Sequence, residues 1–199
     1  MKTKKIWSII AWVLAGIVML AALTYYNFID KPIESGVEVG NTCPDFTVNT
    51  YQVVDGDFTT GGEKFTLSEQ RGKIVVINFW ATYCGPCKAE LPEFDAIQKA
   101  YPNDVKVITL DGEVSFSEEN LAKWLSKNKE PVNAGWNKFS IAFGRYEEKD
   151  NNVYTTLGFS SGALPATMIV NREGVIVFKK EGSMHYADLE NELLPLMKF

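Results

Sequence analysis

Histidine and cysteine are scarce in these 199 residues: there is one of the first, His185, and three of the second, Cys43, Cys84 and Cys87. A C-x-x-C pair can be half of a zinc site, but such a site needs a second pair or two histidines. One leftover cysteine and one histidine do not supply them, so no metal or other cofactor is expected. Positive charge is also short. All 25 acidic residues lie beyond residue 23 but only 17 of the 20 basic ones do, which leaves roughly −8 on that part of the chain. An acidic surface repels nucleic acid and anionic lipid headgroups, which excludes both as ligands of this part.

A third absence is of any charge between Ile6 and Leu23. At the 1.5 Å rise of a helix this run spans about 27 Å, close to the hydrocarbon core of a bilayer. Lys2, Lys4 and Lys5 precede it, and Tyr25, Tyr26 and Phe28 close it. The positive-inside tendency keeps the lysines cytoplasmic and places everything after Tyr26 outside. A cleaved signal peptide has a shorter apolar region ending in small residues, and Leu23-Thr24-Tyr25-Tyr26 is a poor cleavage site. A lipoprotein is disfavoured, because Cys43 lies about twenty residues past the run and follows Asn41-Thr42. The expected organisation is therefore a signal-anchor over 1–26 that enters the bilayer through residues 6–26, a linker over 27–40 and one globular domain over 41–199.

The domain centres on Ile74-Val75-Val76-Ile77-Asn78-Phe79-Trp80, rich in β-branched and aromatic residues, the composition of a strand buried on both faces. Cys84-Gly85-Pro86-Cys87 follows almost at once. Ala89, Leu91, Phe94 and Ile97 are then spaced as the inner side of a helix, so the cysteines sit at a helix N-terminus. The unpaired N–H groups and positive dipole end there stabilise a thiolate, which makes Cys84 the expected nucleophile. Pro86 costs nothing in a first helical turn, where the missing donor has no partner, and it stiffens the loop. Cys87, one turn deeper, is the expected resolving thiol. Cys43 is the odd cysteine, expected to be buried beside the first strand.

Before this centre, Phe46–Val48, Tyr51–Val54 and Lys64–Leu67 read as short extended pieces separated by Asp55-Gly56 and Gly61-Gly62, an N-terminal hairpin. Ser68–Gly72 reads as one helical turn. After it come a parallel strand over Val105–Leu110 and a helix over Glu118–Lys127 capped by Ser117, with Leu121, Trp124 and Leu125 inward. Trp136, Phe139, Phe143 and Tyr146 read as the core of an insertion spanning Asp111 to Ser161, and Arg145–Asn152 as a solvated charged loop. Thr167–Val170, the turn Asn171–Gly174 and Val175–Phe178 read as a hairpin. A last helix covers Tyr186–Leu194, with His185 at its cap.

Trp80 to Pro92, with Cys84-Gly85-Pro86-Cys87 at its centre, resembles the active-site signature of thioredoxin-fold proteins, and in particular of the membrane-anchored, bacterial TlpA/ResA-like branch. Cys43-Pro44-Asp45-Phe46, Leu67–Lys73 and Gly162-Ala163-Leu164-Pro165-Ala166-Thr167 extend the resemblance over about residues 40 to 195. It implies an α/β thioredoxin-like fold with an N-terminal β-hairpin extension, an insertion before the cis-proline and one N-terminal transmembrane helix. It implies a redox-active disulfide between Cys84 and Cys87, and a cis Pro165 beside Cys84 that leaves the Leu164 backbone free to pair with an extended substrate. Tyr83, Gly85, Pro86 and Leu164 become the substrate contacts. Asn78 stands where thioredoxin has a buried proton-transferring aspartate, a role an amide does not take. In this branch an acid three residues after the second cysteine is associated with that role, and Glu90 matches it. Glu90 also reads as a solvated helix residue, and the sequence leaves both readings open.

The function implied is a protein disulfide reductase tethered outside a cytoplasmic membrane. It would act on protein disulfide or dithiol substrates, draw electrons from a membrane-embedded donor and serve exported apoproteins, as in cytochrome c maturation. Two alternatives stand beside it: a thiol peroxidase, since peroxiredoxins share the fold and the Pro-Asp-Phe start, and a copper-delivery protein using the cysteine pair and His185.

Overall fold

The computed structural model describes residues 12–24, 34–113, 115–128, 135–148 and 151–197, with the side chains of residues 147, 148 and 151 excepted. The chain divides into two compact units, Met1–Glu34 and Ser35–Phe199. In the first, residues 12–24 form a helix, α1, with exposed side chains. Residues 1–11 and 25–33, which hold the three lysines, the start and close of the expected spanning run and the first half of the linker, lie outside the described residues. No helix among the described residues is long and apolar enough to cross a membrane.

The second unit opens with β1 (Thr47–Val48), β2 (Gln52–Val54), β3 (Asp57–Thr59) and β4 (Phe65–Thr66), then a 3-10 turn over Leu67–Gln70. Next come β5 (Ile74–Trp80), helix α2 (Gly85–Ala100), β6 (Val105–Asp111) and α3 (Glu118–Lys127). β7 (Ala142–Arg145), β8 (Glu147–Glu148), β9 (Asn151–Asn152) and α4 (Val153–Thr156) lead to β10 (Ala166–Val170), β11 (Ile176–Glu181) and α5 (Tyr186–Leu193).

One five-stranded sheet, in the order β11-β10-β5-β6-β7, carries the unit. β5 is its middle strand, parallel to β6 and antiparallel to β10, and all seven of its residues are buried. Alternation along β5 sorts two cores. Ile74, Val76 and Trp80 join Leu91, Phe94 and Ile97 of α2 on one face. Val75, Ile77 and Phe79 join Phe46, Met168 and Cys43 on the other. Ser117 Oγ caps α3 by accepting from Asn120 N at 3.2 Å, and Leu121 and Leu125 are buried while Trp124 is half-buried. α2 runs through Pro92 without ending, although proline supplies no N–H to the ladder there.

The expected N-terminal hairpin forms across Asp55-Gly56, but with a different second strand. β1 pairs with β4, and β2 pairs with β3, which the sequence pattern does not single out. Asp55 and Gly56 both take positive φ, 53° and 90°, as a two-residue type I′ hairpin loop requires. Phe58 of β3 is buried, and its N–H donates to Ser126 Oγ of α3 at 2.8 Å. Residues 35–40, assigned from sequence to the linker, fold against β11: Gly40 N donates to Ile176 O at 2.8 Å.

The insertion also differs from expectation in one part. Trp136, Phe143 and Tyr146 are buried, as an insertion core should be, and Trp136 stacks on Trp80 with ring centroids 5.8 Å apart. Yet Arg145–Asn152 is no simple solvated loop. Arg145 ends β7, a strand of the main sheet; its Nη2 donates to Glu113 O at 3.0 Å, and β8 pairs with β9 beyond it. Residues 149–150 lie outside the described ones.

Candidate active site

β5 ends at Trp80, and the chain turns through Ala81-Thr82-Tyr83 into α2, whose N-cap is Cys84. Cys84 is 8 % exposed and Cys87 fully buried, a difference that gives substrate one sulfur to reach. The two form a disulfide with their Cα atoms 5.3 Å apart. Cys84 Sγ accepts from Cys87 N at 3.2 Å, so an N–H of the first helical turn already points at the sulfur that must carry negative charge when reduced. Thr82 behind the loop hydrogen-bonds Glu113, which tethers the turn to the loop after β6.

Around the disulfide, Tyr83 is 74 % exposed, and Gly85 and Pro86 are exposed as well. Leu164 is half-buried, and the Leu164–Pro165 peptide is cis. Cys43 lies on the other face of the sheet, buried, with its Sγ 3.9 Å from Met168 Sδ. Burial pushes its thiol up to about 12. His185 is exposed at the N-cap of α5, where its N–H donates to Asp188 Oδ2 at 3.1 Å.

Glu90 is only 2 % exposed, which excludes the solvated reading. It points from the second turn of α2 down onto the sheet. Its Oε1 accepts from Asn78 Nδ2 at 2.8 Å, and its Oε2 accepts from Met184 N at 2.9 Å. Desolvation dominates and raises its carboxyl to about 7; the Met184 N–H, the Asn78 amide and the charge of Lys180 each pull the other way. A buried carboxyl that titrates near neutrality, one helical turn past Cys87, can take up and return a proton under physiological conditions.

Sequence reasoning found Glu90 but missed what holds it. Strand register places Asn78 beside Thr167 and Thr167 beside Lys180, one polar row across β5, β10 and β11. Paired residues of neighbouring strands share a face, and this row faces α2. Asn78 Nδ2 also lies 3.4 Å from Thr167 Oγ1, while Asn78 Oδ1 is buried with no partner among the described residues. Asn78 therefore acts as an amide that orients the acid, a role its comparison with aspartate conceals. The hairpin turn Asn171–Gly174 does not reveal Lys180, since counting back across it sets Lys179 opposite Thr167, and a register shift between Ile169 and Val170 puts Lys180 there instead.

Known proteins match this arrangement. The AhpC/TSA family model covers residues 39–179. The chain is 30% identical over 186 residues to thioredoxin-like protein YneN of Bacillus subtilis, covering 90% of this chain and 95% of YneN. It is 28% identical over 182 residues to thiol-disulfide oxidoreductase ResA of Geobacillus kaustophilus, covering 89% of each. Among solved structures it resembles the exposed lipoprotein thioredoxin Etrx1 of Streptococcus pneumoniae, with a TM-score of 0.56, 24% identity, and 77% of this chain and all of that one covered. At that identity the likeness speaks for the thioredoxin-like fold.

Proposed function

The chain belongs to the AhpC/TSA family of thioredoxin-like proteins, and from that premise and the geometry of its site we propose a protein disulfide reductase anchored outside a cytoplasmic membrane. It is a thiol-disulfide oxidoreductase, as the name of its ResA relative states of that protein. The observation that carries the proposal is the pairing of a helix-capping, reachable Cys84 with a buried Cys87.

In the reduced protein the Cys84 thiolate attacks one sulfur of a substrate disulfide. A mixed disulfide forms and the other substrate sulfur leaves as a thiolate. Cys87 then attacks Cys84 Sγ, which expels the second substrate sulfur and closes the Cys84–Cys87 bond. Two electrons pass from the dithiol to the substrate. Cys87 must lose its proton to attack, and Glu90, buried one turn away, accepts it and returns it when an electron donor reopens the disulfide. The cis Pro165 offers no N–H, and the adjoining Leu164 backbone pairs with the extended substrate. Tyr83, Gly85 and Pro86 form the surface against which it lies.

The uncharged run from Ile6 to Leu23, with lysines before it and an acidic domain after it, supports tethering and outward placement. A donor in the membrane would then face a domain held beside it, and exported apoproteins, cytochrome c precursors among them, would be the substrates. Against a peroxidase that uses Cys43 stands its burial, and a peroxidase that uses Cys84 would consume hydrogen peroxide in a direct assay, which the proposal predicts it does not.

Three experiments test the proposal. Equilibration in dithiothreitol or glutathione redox buffers should give a potential near the ~−270 mV of thioredoxin, and one near the ~−120 mV of strong oxidants contradicts reduction as the direction. Cys87→Ser should accumulate mixed disulfides with exported proteins. Carbonate extraction should leave the chain in the membrane; release of soluble protein starting near Tyr25 contradicts the anchor.

A further inference from the structure

One peptide group in this molecule faces two charged side chains. The carbonyl oxygen of Ser183 accepts from Lys180 Nζ at 3.0 Å, and the N–H of Met184, on the same peptide, donates to Glu90 Oε2 at 2.9 Å. In a trans peptide these two groups point in opposite directions, so the ammonium and the carboxylate sit at the two ends of a single dipole. Both ends are oriented favourably. A cation on the carbonyl polarises the amide and strengthens the donation from its N–H, the cooperativity expected in hydrogen-bond chains of low local dielectric.

We infer that Lys180 is a positioning residue for Glu90, acting through the Ser183–Met184 peptide to hold and stabilise the ionised carboxylate. The inference rests on the reading of Glu90 as the group that exchanges protons with the thiols. Three observations separate Lys180 from an ordinary lysine of an edge strand. Its strand register places it in the row of Thr167 and Asn78, on the face that meets α2. Its neighbour Lys179 turns elsewhere, donating to Gly158 O at 2.7 Å and lying 4.5 Å from the Phe159 ring centroid. Among the described residues no carboxylate lies within ion-pair distance of Lys180, so its charge is not neutralised before it reaches the peptide.

The other groups around Glu90 do not supply this charge. On α2 itself, Cys84 and Cys87 are joined, and Glu93 accepts from Tyr186 N at 3.3 Å. β5 and β10 contribute Asn78 and Thr167, which are neutral. At the start of α5, His185 is exposed and its N–H is bound to Asp188. Lys180 of β11 is the cation of the set, and its effect on the Glu90 carboxyl is downward, against burial.

The test is a titration of the Glu90 side-chain carboxyl by carbon NMR in the oxidised, full-length protein without substrate. Lys180→Met should move the midpoint upward by about 1 pH unit, and Lys180→Arg, which keeps the charge, should leave it near the wild-type value. An unchanged midpoint in Lys180→Met, or an equal rise in Lys180→Arg, overturns the inference. If Lys180→Met does not fold, Lys180→Gln, which keeps a donor without charge, is read in the same way. Because no substrate is present, the shift reports on Lys180 whether or not the protein reduces disulfides. A rise on Lys180→Met in a protein with no reductase activity would leave this coupling standing and remove the function.

Discussion

Cys43 and Glu90 are ionisable acids buried on opposite faces of the central sheet, and the two have opposite fates. Cys43 lies among Phe46, Met168 and the apolar residues of β5 on one side, with a thioether as its polar neighbour. Desolvation outweighs the opposing charges of Arg71 and Lys179 and drives the thiol to about 12, where it holds its proton at any physiological pH. Glu90 on the other side is as deeply buried, but it meets an amide, a backbone N–H and a lysine charge, and comes to rest at about 7. Burial raises both by a similar amount, and because a carboxyl starts near 4.5 where a thiol starts near 9, it is the carboxyl that is brought to where thiols need it. Residue type decides which of the two buried acids exchanges protons near neutrality, and the partners at the sheet surface hold that acid in place.

The largest effect should come from separating the cysteines. Cys84→Ser should reduce disulfide reductase activity to background, whereas Cys43→Ser should leave turnover nearly unchanged. Cys43→Ser puts a hydroxyl beside a sulfur that serves poorly as its acceptor, so it should destabilise the protein by ~1–3 kcal/mol in a denaturant titration. Activity that follows Cys43 would break the comparison at once.

Phe94→Ala, in the α2 face that supports Glu90, comes next. Phe94 is fully buried, and its loss should cost ~3–5 kcal/mol of unfolding free energy. A cost below ~1 kcal/mol would show that α2 is not packed on the sheet as described.

The pH dependence of stability sharpens the comparison further. Glu90 takes its proton at about 7 in the folded protein and near 4.5 when unfolded. Between those values the folded state holds a proton that the unfolded state has lost, so stability falls as pH rises from 4.5 to 7. Below that window Glu90 is neutral in both states, and above it the penalty is complete, at most roughly 3 kcal/mol. Glu90→Gln removes the penalty and should flatten this part of the profile. Cys43→Ser should not alter the slope there, because the thiol stays protonated throughout.

The smallest effect is expected at the rim. Tyr83→Ala should weaken the binding of protein substrates and spare both the fold and the reaction with dithiothreitol, since the ring is exposed and anchors nothing in the core.

Much of this was legible in the sequence because the signals are local. A β-branched run followed by C-G-P-C and a helical apolar spacing places β5, Cys84 and α2 by adjacency alone, and Ser117 marks the start of α3 by its side chain. What escaped depends on register and tertiary contact. β3 is three residues with one buried side chain, too short for its alternation to stand out. Arg145 reads as a solvated charge until its strand is seen to join the sheet edge and its guanidinium to reach Glu113. The burial of Glu90 was beyond sequence because Met184, which lies 94 positions away, contributes only a backbone N–H. No residue type encodes such a donor.

The central claim, that Glu90 shares protons with the cysteines, is tested most directly by the pH profile of Cys84 alkylation in reduced wild type and in Glu90→Gln. Cys84 should react ahead of Cys87 and Cys43 at mildly acidic pH. With the buried charge removed, its midpoint should fall and turnover with a protein disulfide should slow, while the spectrum of the folded domain stays the same. Superimposable alkylation profiles and equal turnover in the two proteins would contradict the claim and leave Glu90 a buried structural acid.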